Sequence, residues 1–317
     1  MIVSAIVVTW NSAAVLEGLL NSLRPGLAGV DWRLTVVDNA SHDDTVVLAE
    51  RWLREHKDDV IGTVLQTGRN AGYAAAINAA LAEDSPPITT LILNPDIRLE
   101  PDCVRGMLDV LTADAAPPSG IVVPRIRDAN GQLCRSLRRE PSLPRAFGEA
   151  LLGRYSGRIS WLGETVADNA AYQAVTTADW ATGAVMLIGR DCLEACGTWD
   201  ETFFLYSEET EYALRARDRG FATRLAPAAE ATHLGGESKT SGRLWALLTV
   251  NRVRLYRRRH AWPMTALFWT AVLLREAPRA AIGRSTSRSA VAALLRGGGF
   301  GPSSGYERAS ASSGTST

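Results

Sequence analysis

The sequence lacks every common phosphate cradle. No Gly-x-Gly-x-x-Gly follows its first apolar run, which argues against a dinucleotide oxidoreductase. No Walker A stretch occurs, which argues against a P-loop NTPase. A Gly-x-Ser-x-Gly elbow is also missing, which argues against an α/β-hydrolase. Cysteine is sparse, at 103, 134, 192 and 196, with no Cys-x-x-Cys pair and no zinc spacing. Buried free thiols in a reducing compartment are therefore expected. Net charge is absent: 34 basic and 34 acidic residues balance, so the sum suggests no nucleic-acid partner. No apolar run reaches the length of a membrane span, and the longest candidate, Ala261 to Leu274, is interrupted by Pro263. The first residues, Met1 to Val8, carry no basic n-region or small-residue cleavage site and read as a strand. A cytosolic protein is expected, one that can touch a membrane.

What is present is an alternation of short apolar runs and amphipathic stretches. Strands are expected at Val3–Thr9, Leu34–Val37, Val60–Leu65, Thr90–Leu93 and Gly120–Pro124. Helices fill the intervals, the first capped by Asn11 and Ser12 with Val15, Leu16, Leu19, Leu20 and Leu23 on one face. Four repeats of strand and helix predict an α/β fold: a Rossmann-like, mostly parallel sheet covered by helices on both faces. Polar residues cluster after each strand: Thr9 and Asn11, Asp38 and Asn39, Arg69 and Asn70, Asn94 and Asp96. All four clusters would share one sheet edge, where open α/β sheets bind ligands.

After Pro124 the alternation fails, and residues from about Arg127 to Ala178 read as a loop-dominated insertion. Further strands are expected at Gly183–Ile188 and Ala222–Leu225, with an acid-rich helix start at Glu208, Glu209 and Glu211 between them. From Gly242 the arginines at 243, 252, 254, 257, 258 and 259 occur without an intervening acid, followed by a Trp-rich apolar segment. That pattern fits a helical hairpin lying on anionic lipid, or a helical subdomain packed on the catalytic core. From Ser285 onward Ser, Gly, Thr and Arg predict a disordered tail.

Several residues carry chemistry in two possible ways. Pro95 must end the fourth strand, so Asn94-Pro95-Asp96 is either a plain turn or a pair of oxygen ligands aimed at a hard cation. Asp38 either caps its loop or accepts a hydrogen bond from a pyrimidine imide N–H. Glu208 and Glu209 either complement a helix dipole or supply a general base. His233 is a surface residue or a metal ligand.

The chain resembles the inverting, nucleotide-sugar-dependent glycosyltransferases of family 2, with the GT-A fold, and within them the bacterial rhamnosyltransferase-like branch. The likeness rests on Ile6-Val7-Val8-Thr9-Trp10-Asn11, Val36-Val37-Asp38-Asn39-Ala40-Ser41 and Asn70-Ala71-Gly72-Tyr73-Ala74. It continues through Leu93-Asn94-Pro95-Asp96, Asp179-Trp180-Ala181-Thr182-Gly183-Ala184 and Phe203 to Glu211, in family order. The resemblance implies nucleotide binding by Thr9, Asn11, Asp38, Arg69, Asn70, Gly72 and Asn94. It implies a Mg²⁺ or Mn²⁺ cofactor at Asp96 and His233, and a catalytic base at Glu209, with Glu208 beside it. Trp180, Gly183 and Tyr206 match the wall around the donor sugar and acceptor. Glu209 and Glu211 stand where aspartate is usual, which moves each carboxylate out by one methylene.

The implied donor is dTDP-L-rhamnose, or another UDP- or dTDP-sugar. The implied acceptor is a polyprenyl-diphosphate-linked or other cell-envelope glycan. The expected organisation is a GT-A domain over residues 1–240, with a nucleotide-binding half (1–125) and an acceptor half (126–240). A basic, Trp-rich, membrane-associating helical segment (241–284) and the tail (285–317) follow. Such an enzyme would sit at the inner face of the plasma membrane. Two other classes compete. A nucleotidyltransferase would need a second metal carboxylate and a triphosphate-binding lysine, yet lysine is confined to Lys57 and Lys239. A non-catalytic membrane scaffold would have no use for Asp96, Glu208, Glu209 and His233 together.

Overall fold

The structure is a computed structural model describing residues 2–83, 88–235 and 241–297. Strands β1 (Ile2–Thr9), β2 (Asp31–Asp38), β3 (Ile61–Gln66) and β4 (Thr90–Leu93) run parallel in the order β3-β2-β1-β4. They alternate with α1 (Ala13–Gly26), α2 (Thr45–Glu55) and α3 (Tyr73–Ala82). In β1, Val3, Ala5 and Val7 point into one core and Ile6 and Val8 into the other, so the strand is apolar throughout. On one face α1 buries Leu16, Leu19, Leu20 and Leu23 completely. Each such leucine contributes roughly 1.5–3 kcal/mol of burial.

The chain then crosses Asn94-Pro95-Asp96 into a short edge strand, β5 (Ile97–Leu99), and α4 (Cys103–Thr112). Next come β6 (Ser119–Asp128), β7 (Leu133–Cys134), β8 (Leu137–Arg138) and α5 (Leu143–Leu152). Two 3-10 turns, Gly153–Arg158 and Asn169–Tyr172, lead to β9 (Thr176–Ala178), β10 (Trp180–Ala181) and β11 (Val185–Ile188). Helices α6 (Arg190–Cys196) and α7 (Glu208–Asp218) precede β12 (Ala222–His233). The main sheet reads β3-β2-β1-β4-β11-β6-β12-β5, with β11 antiparallel to both neighbours and β12 parallel to β6. The mostly parallel α/β architecture is thus present, and the second half departs from strict parallel order.

Three expectations need correction. The stretch from Arg127 to Ala178 is not mainly loop: it holds α5, both turns and three strands of two or three residues. Strands that short show no readable period. The last strand does not stop at Leu225 but runs to His233. Its register against β6 shifts between Ala226 and Glu230, which lets Pro227 sit outside the ladder. The tail expected from Ser285 begins instead with a helix, α10 (Ser285–Leu295), which buries Ala290 and Leu294 four residues apart. Residues beyond 297 lie outside the described residues.

The C-terminal helices α8 (Gly242–Arg259), α9 (Trp262–Ala281) and α10 pack with α5 around a third core of Val250, Val253, Tyr256, Phe268, Ala271 and Leu294. Tyr256 stacks on Phe268 at 4.0 Å. Four of the α8 arginines engage the protein. Arg252 pairs with Glu149 at 2.9 Å and with Glu164, Arg258 pairs with Asp200, and Arg259 bridges Glu140 and Asp218. Arg254 donates to the Thr202 carbonyl. The packed subdomain is therefore the arrangement present, and these cations are committed to protein partners. No helix among the described residues is long and apolar enough to cross a membrane.

Arg252 is the electrostatic centre of this junction. Burial pushes the Glu149 carboxyl up, and Arg252 and Arg275 more than reverse that. Glu164, which shares Arg252, stays above its ordinary value because burial dominates. Removing the shared cation leaves Glu164 without its ion-pair partner and Glu149 with Arg275 alone, at 3.6 Å, which costs about 3–5 kcal/mol. Arg252→Met is expected to lower the unfolding free energy by about that amount in urea titrations. A loss well under about 1 kcal/mol would mean the ion pairs contribute nothing net.

Candidate active site

The carboxyl ends of β1, β2, β3 and β4 form a polar rim. Thr9 faces Asp38 across the β1–β2 ladder. The Thr9 hydroxyl donates to Asp38 Oδ1 at 3.0 Å, and the Ser41 amide donates to Oδ2 at 2.8 Å. Asp38 is buried and caps its own loop, while one lone pair of Oδ2 is left for an incoming imide N–H. Asn11 adopts a left-handed backbone (φ 49°) and joins the two rim loops. Its Oδ1 accepts from the His42 amide at 2.8 Å, and its own amide donates to Ser41 Oγ at 2.8 Å.

The third rim loop is pinned by Asn39, already singled out by sequence patterning, and by Thr67, which was not. The Thr67 hydroxyl donates to the Asp38 carbonyl at 3.0 Å and to the Arg69 carbonyl at 2.8 Å. Asn39 Nδ2 donates to the Gly72 carbonyl at 3.0 Å. Arg69 is exposed, and Asn70 Oδ1 accepts from the Gly72 amide at 3.2 Å. Gly72 has φ +100°, and a side chain there would collide with the backbone of Phe204. The Tyr73 amide donates to that Phe204 carbonyl at 2.9 Å, so the loop is tied to the segment before α7. A groove of about 380 Å³ beside this loop, lined by Thr67, Arg69, Asn78 and Glu201, lies along α3 away from Asp96.

Asp96 and His233 meet because β5 pairs with the end of β12, Ile97 opposite His233. The Leu234 amide donates to the Asp96 carbonyl at 3.0 Å, and His233 Nε2 lies 3.0 Å from Asp96 Oδ2. His233 therefore sits in a strand rather than a loop, and Pro227 is what hid that strand. Among the described residues no cluster of three or more His, Cys, Asp or Glu ligands occurs. One carboxylate oxygen and one imidazole nitrogen fit a divalent cation whose remaining ligands come from a diphosphate or water. Asn94 Oδ1 accepts from the Tyr73 hydroxyl at 2.9 Å, which fixes its orientation beside Asp96.

Opposite lies the start of α7. Tyr206 and Ser207 both have left-handed backbones, at φ 68° and 75°. Such residues cost roughly 1–2 kcal/mol each and persist only when held in place. Asn251 of α8 holds them, donating to the carbonyls of Leu205 at 2.9 Å and Tyr206 at 3.2 Å. The turn sets Glu208 inward, 3 % exposed, and leaves Glu209 half-buried beneath Gly183. A Cβ at Gly183 would lie 3.2 Å from that of Glu209, so glycine leaves room at the carboxylate. Each glutamate has a buried Oε2 with no hydrogen-bond partner among the described residues.

The two carboxyls are driven apart electrostatically. Burial, and then the Glu209 charge, push Glu208 well above the carboxylate range. Burial also raises Glu209, but the amides of Glu209, Ser207 and Thr210 and the Arg138 guanidinium pull it back. Both carboxyls are thus raised, Glu208 the more strongly, an order that favours the proton on Glu208 and leaves Glu209 the more readily ionised of the two. Between these acids and Asp96 stands Tyr73. Burial raises its phenol pKa, and Glu208, Glu209 and Asp96 raise it further, so it stays a neutral donor. Tyr73 and Arg138 were both missed by sequence reading. Tyr73 sits inside a quoted motif, but Arg138 lies on a two-residue strand with no pattern around it. Arg138 lies 5.9 Å from the Trp180 ring, and Trp180 Nε1 donates to the Arg139 carbonyl at 3.1 Å. The rim, Asp96 with His233, and the glutamates with Trp180 and Gly183 therefore converge around Tyr73.

A carboxyl whose pKa rises on folding favours the folded state while protonated, and that contribution is lost as pH climbs through its folded value. Glu208→Gln keeps the protonated shape and cannot ionise. Its melting temperature is expected to match the parent's in acid, below the ordinary carboxylate range, and to exceed it by a few degrees at alkaline pH. A pH-independent difference in thermal scans would show that Glu208 is not held protonated.

The chain is similar to known proteins in sequence and in fold. The chain is 27% identical over 220 residues to the N-acetylglucosaminyl-diphospho-decaprenol L-rhamnosyltransferase of Mycobacterium tuberculosis, covering 65% of this chain and 71% of that one. Its fold resembles mannosyltransferase PcManGT from Pyrobaculum calidifontis, solved with GDP-Man and Mn²⁺, at TM-score 0.57 and 17% identity. That match covers 98% of this chain and 84% of the other. S. aureus TarS matches at TM-score 0.51 and 13% identity, and this chain spans 55% of its length while 94% of this chain is covered. The profile described as Glycosyl transferase family 2 matches residues 4–175, over half of the sequence, and the chain belongs to that family.

Proposed function

We propose that the protein transfers L-rhamnose from dTDP-L-rhamnose, with inversion, to a sugar on a polyprenyl diphosphate. The observation that carries this reading is the convergence of Asp96–His233 and Glu209 around Tyr73, in a chain similar to a rhamnosyltransferase with a lipid-linked acceptor. Thr9, Asn11, Asp38, Arg69, Asn70 and Gly72 form the nucleoside side. Asp96 and His233 would hold Mg²⁺ or Mn²⁺, and the PcManGT complex with Mn²⁺ supports a divalent cation in this fold. When bound, that cation supplies Lewis-acid stabilisation of the departing diphosphate.

Glu209 accepts the acceptor hydroxyl proton as the oxygen attacks the anomeric carbon. The bond to the diphosphate oxygen breaks, and its electron pair leaves with the nucleotide. Tyr73 donates to Asn94 and fixes that side chain against the rim. Trp180, Gly183 and Tyr206 enclose the sugar. Work on a lipid-linked acceptor would place the enzyme at the inner face of the plasma membrane.

The test is nucleotide release and product analysis with a panel of UDP-, dTDP- and GDP-sugars, each with and without Mn²⁺. The acceptor is a short-chain N-acetylglucosaminyl-diphospho-polyprenol. The expected result is metal-dependent dTDP release from dTDP-L-rhamnose, with a product of opposite anomeric configuration. Turnover of a different donor alone would replace the sugar assignment. No turnover of any donor would overturn the transferase reading.

A further inference from the structure

Beyond the active site, the surface with the most unusual composition is the lobe after α5. Within residues 151–161, Leu151, Leu152, Tyr155, Ile159 and Trp161 are all exposed, Leu151 by 80 % and Trp161 by 63 %. The backbone underneath is well ordered by its own bonds. Ser156 Oγ donates to the Gly153 carbonyl at 2.8 Å, and the amides of Leu162 and Gly163 both donate to the Ile159 carbonyl at 3.0 Å. Gly148 of α5 lets the Leu162 backbone pack directly on the helix. Internal bonding of this kind turns the large side chains outward, where single exposed leucines are ordinary but five in eleven residues are not.

The charge around them has one sign. Arg154 and Arg158 flank the Tyr155 ring at 5.1 and 5.5 Å, and with Arg135 and Ala167 they line a groove of about 330 Å³. No acid occurs from Leu151 to Gly163. The acids bracketing the lobe, Glu149 and Glu164, both turn inward to Arg252. The next exposed acid along the chain, Asp168, accepts from the Ala170 amide at 2.9 Å. Apolar side chains framed by unopposed arginines match an anionic bilayer, where each arginine contributes about 1 kcal/mol and each inserted side chain adds burial.

We propose that this lobe docks the enzyme on an anionic phospholipid surface. It deepens the lipid-linked reading given above, and it moves the membrane contact from the C-terminal arginines to α5 and the turn that follows. The lobe also points along the chain to the chemistry. Thr165, just past it, bridges to Arg138, the residue whose charge acts on Glu209. A lipid-linked acceptor anchored at the lobe would reach the base along that strand.

The test is co-sedimentation with vesicles of phosphatidylcholine alone or with phosphatidylglycerol added, in low and high salt, without any sugar substrate. The wild-type chain is expected to bind the anionic vesicles in low salt only. Arg154→Glu/Arg158→Glu and Leu151→Ser/Trp161→Ser are each expected to weaken binding roughly tenfold or more. Trp262→Ser/Leu267→Ser, on exposed positions of α9, is expected to bind normally. All these side chains are exposed, and thermal melts confirm that each variant is folded. Absent wild-type binding, unaffected lobe variants, or loss confined to the α9 variant would each overturn the proposal. Turnover of a water-soluble short-chain acceptor should stay unchanged in the lobe variants, so a failed docking test leaves the transferase reading separately measurable.

Discussion

Glu209→Gln is expected to lower kcat by about 10²–10⁴-fold, the range for loss of a positioned general base. Glutamine keeps the volume and the contact with Gly183 but takes no proton. The proposed nucleoside side is built from other residues, so the donor KM is expected to stay within about twofold, since the lost interaction belongs to the transition state. Glu208→Gln is expected to cost far less, because Glu208 already holds a proton and the amide imitates it. A larger loss at Glu208 than at Glu209 would exchange their roles. The pH profile gives a second reading. Activity requires deprotonated Glu209, so kcat/KM should rise with pH along an acid limb set above the ordinary carboxylate range. Arg138 lowers the Glu209 pKa, so Arg138→Met should move that limb to higher pH, and Arg138→Lys should restore part of the shift. An unmoved limb would remove Arg138 from the site.

Asp96→Ala is expected to reduce kcat/KM by about 10³-fold, in line with the several kcal/mol that a diphosphate-bound cation supplies. The substitution should leave the fold intact, since the strand contact at this position uses the Asp96 carbonyl rather than its side chain. Two measurements separate the metal role from a structural one. Mn²⁺ binding in the presence of nucleoside diphosphate, followed by electron paramagnetic resonance, should weaken in Asp96→Ala and less so in His233→Ala. Melting temperature should barely change in either. Wild-type turnover in Asp96→Ala would end the assignment of Asp96 as the anchor.

The sheet and its polar rim were readable from sequence because apolar runs are continuous where both faces are buried, and Pro95 marks a strand end without ambiguity. Asp96, Glu208 and Glu209 stood out as candidates because carboxylates at element ends are conspicuous. The pairing of His233 with Asp96 rested on family likeness alone, because a register shift carries β12 past Pro227 and hides it. Tyr73 reads as one aromatic in an alanine-rich helix, and its hydroxyl contact with Asn94 spans two elements. Arg138 depends on a two-residue strand, below the reach of any periodicity. The partners of the α8 arginines were hidden for a different reason. A run of cations without local acids looks unpaired, yet their partners, Glu140, Glu149, Glu164, Asp200 and Asp218, are tens of residues away in the chain.

Asn251 bears on how this protein can be taken apart. The family profile ends at residue 175, but the turn that carries both glutamates lies beyond it and is held by a fully buried amide on α8. A chimera joining this sheet to the C-terminal helices of a relative would need a matching donor at that position. Helices that look like an appendage are therefore inherited with the chemistry, and the smallest exchangeable unit of this enzyme runs well past the signature by which it is found.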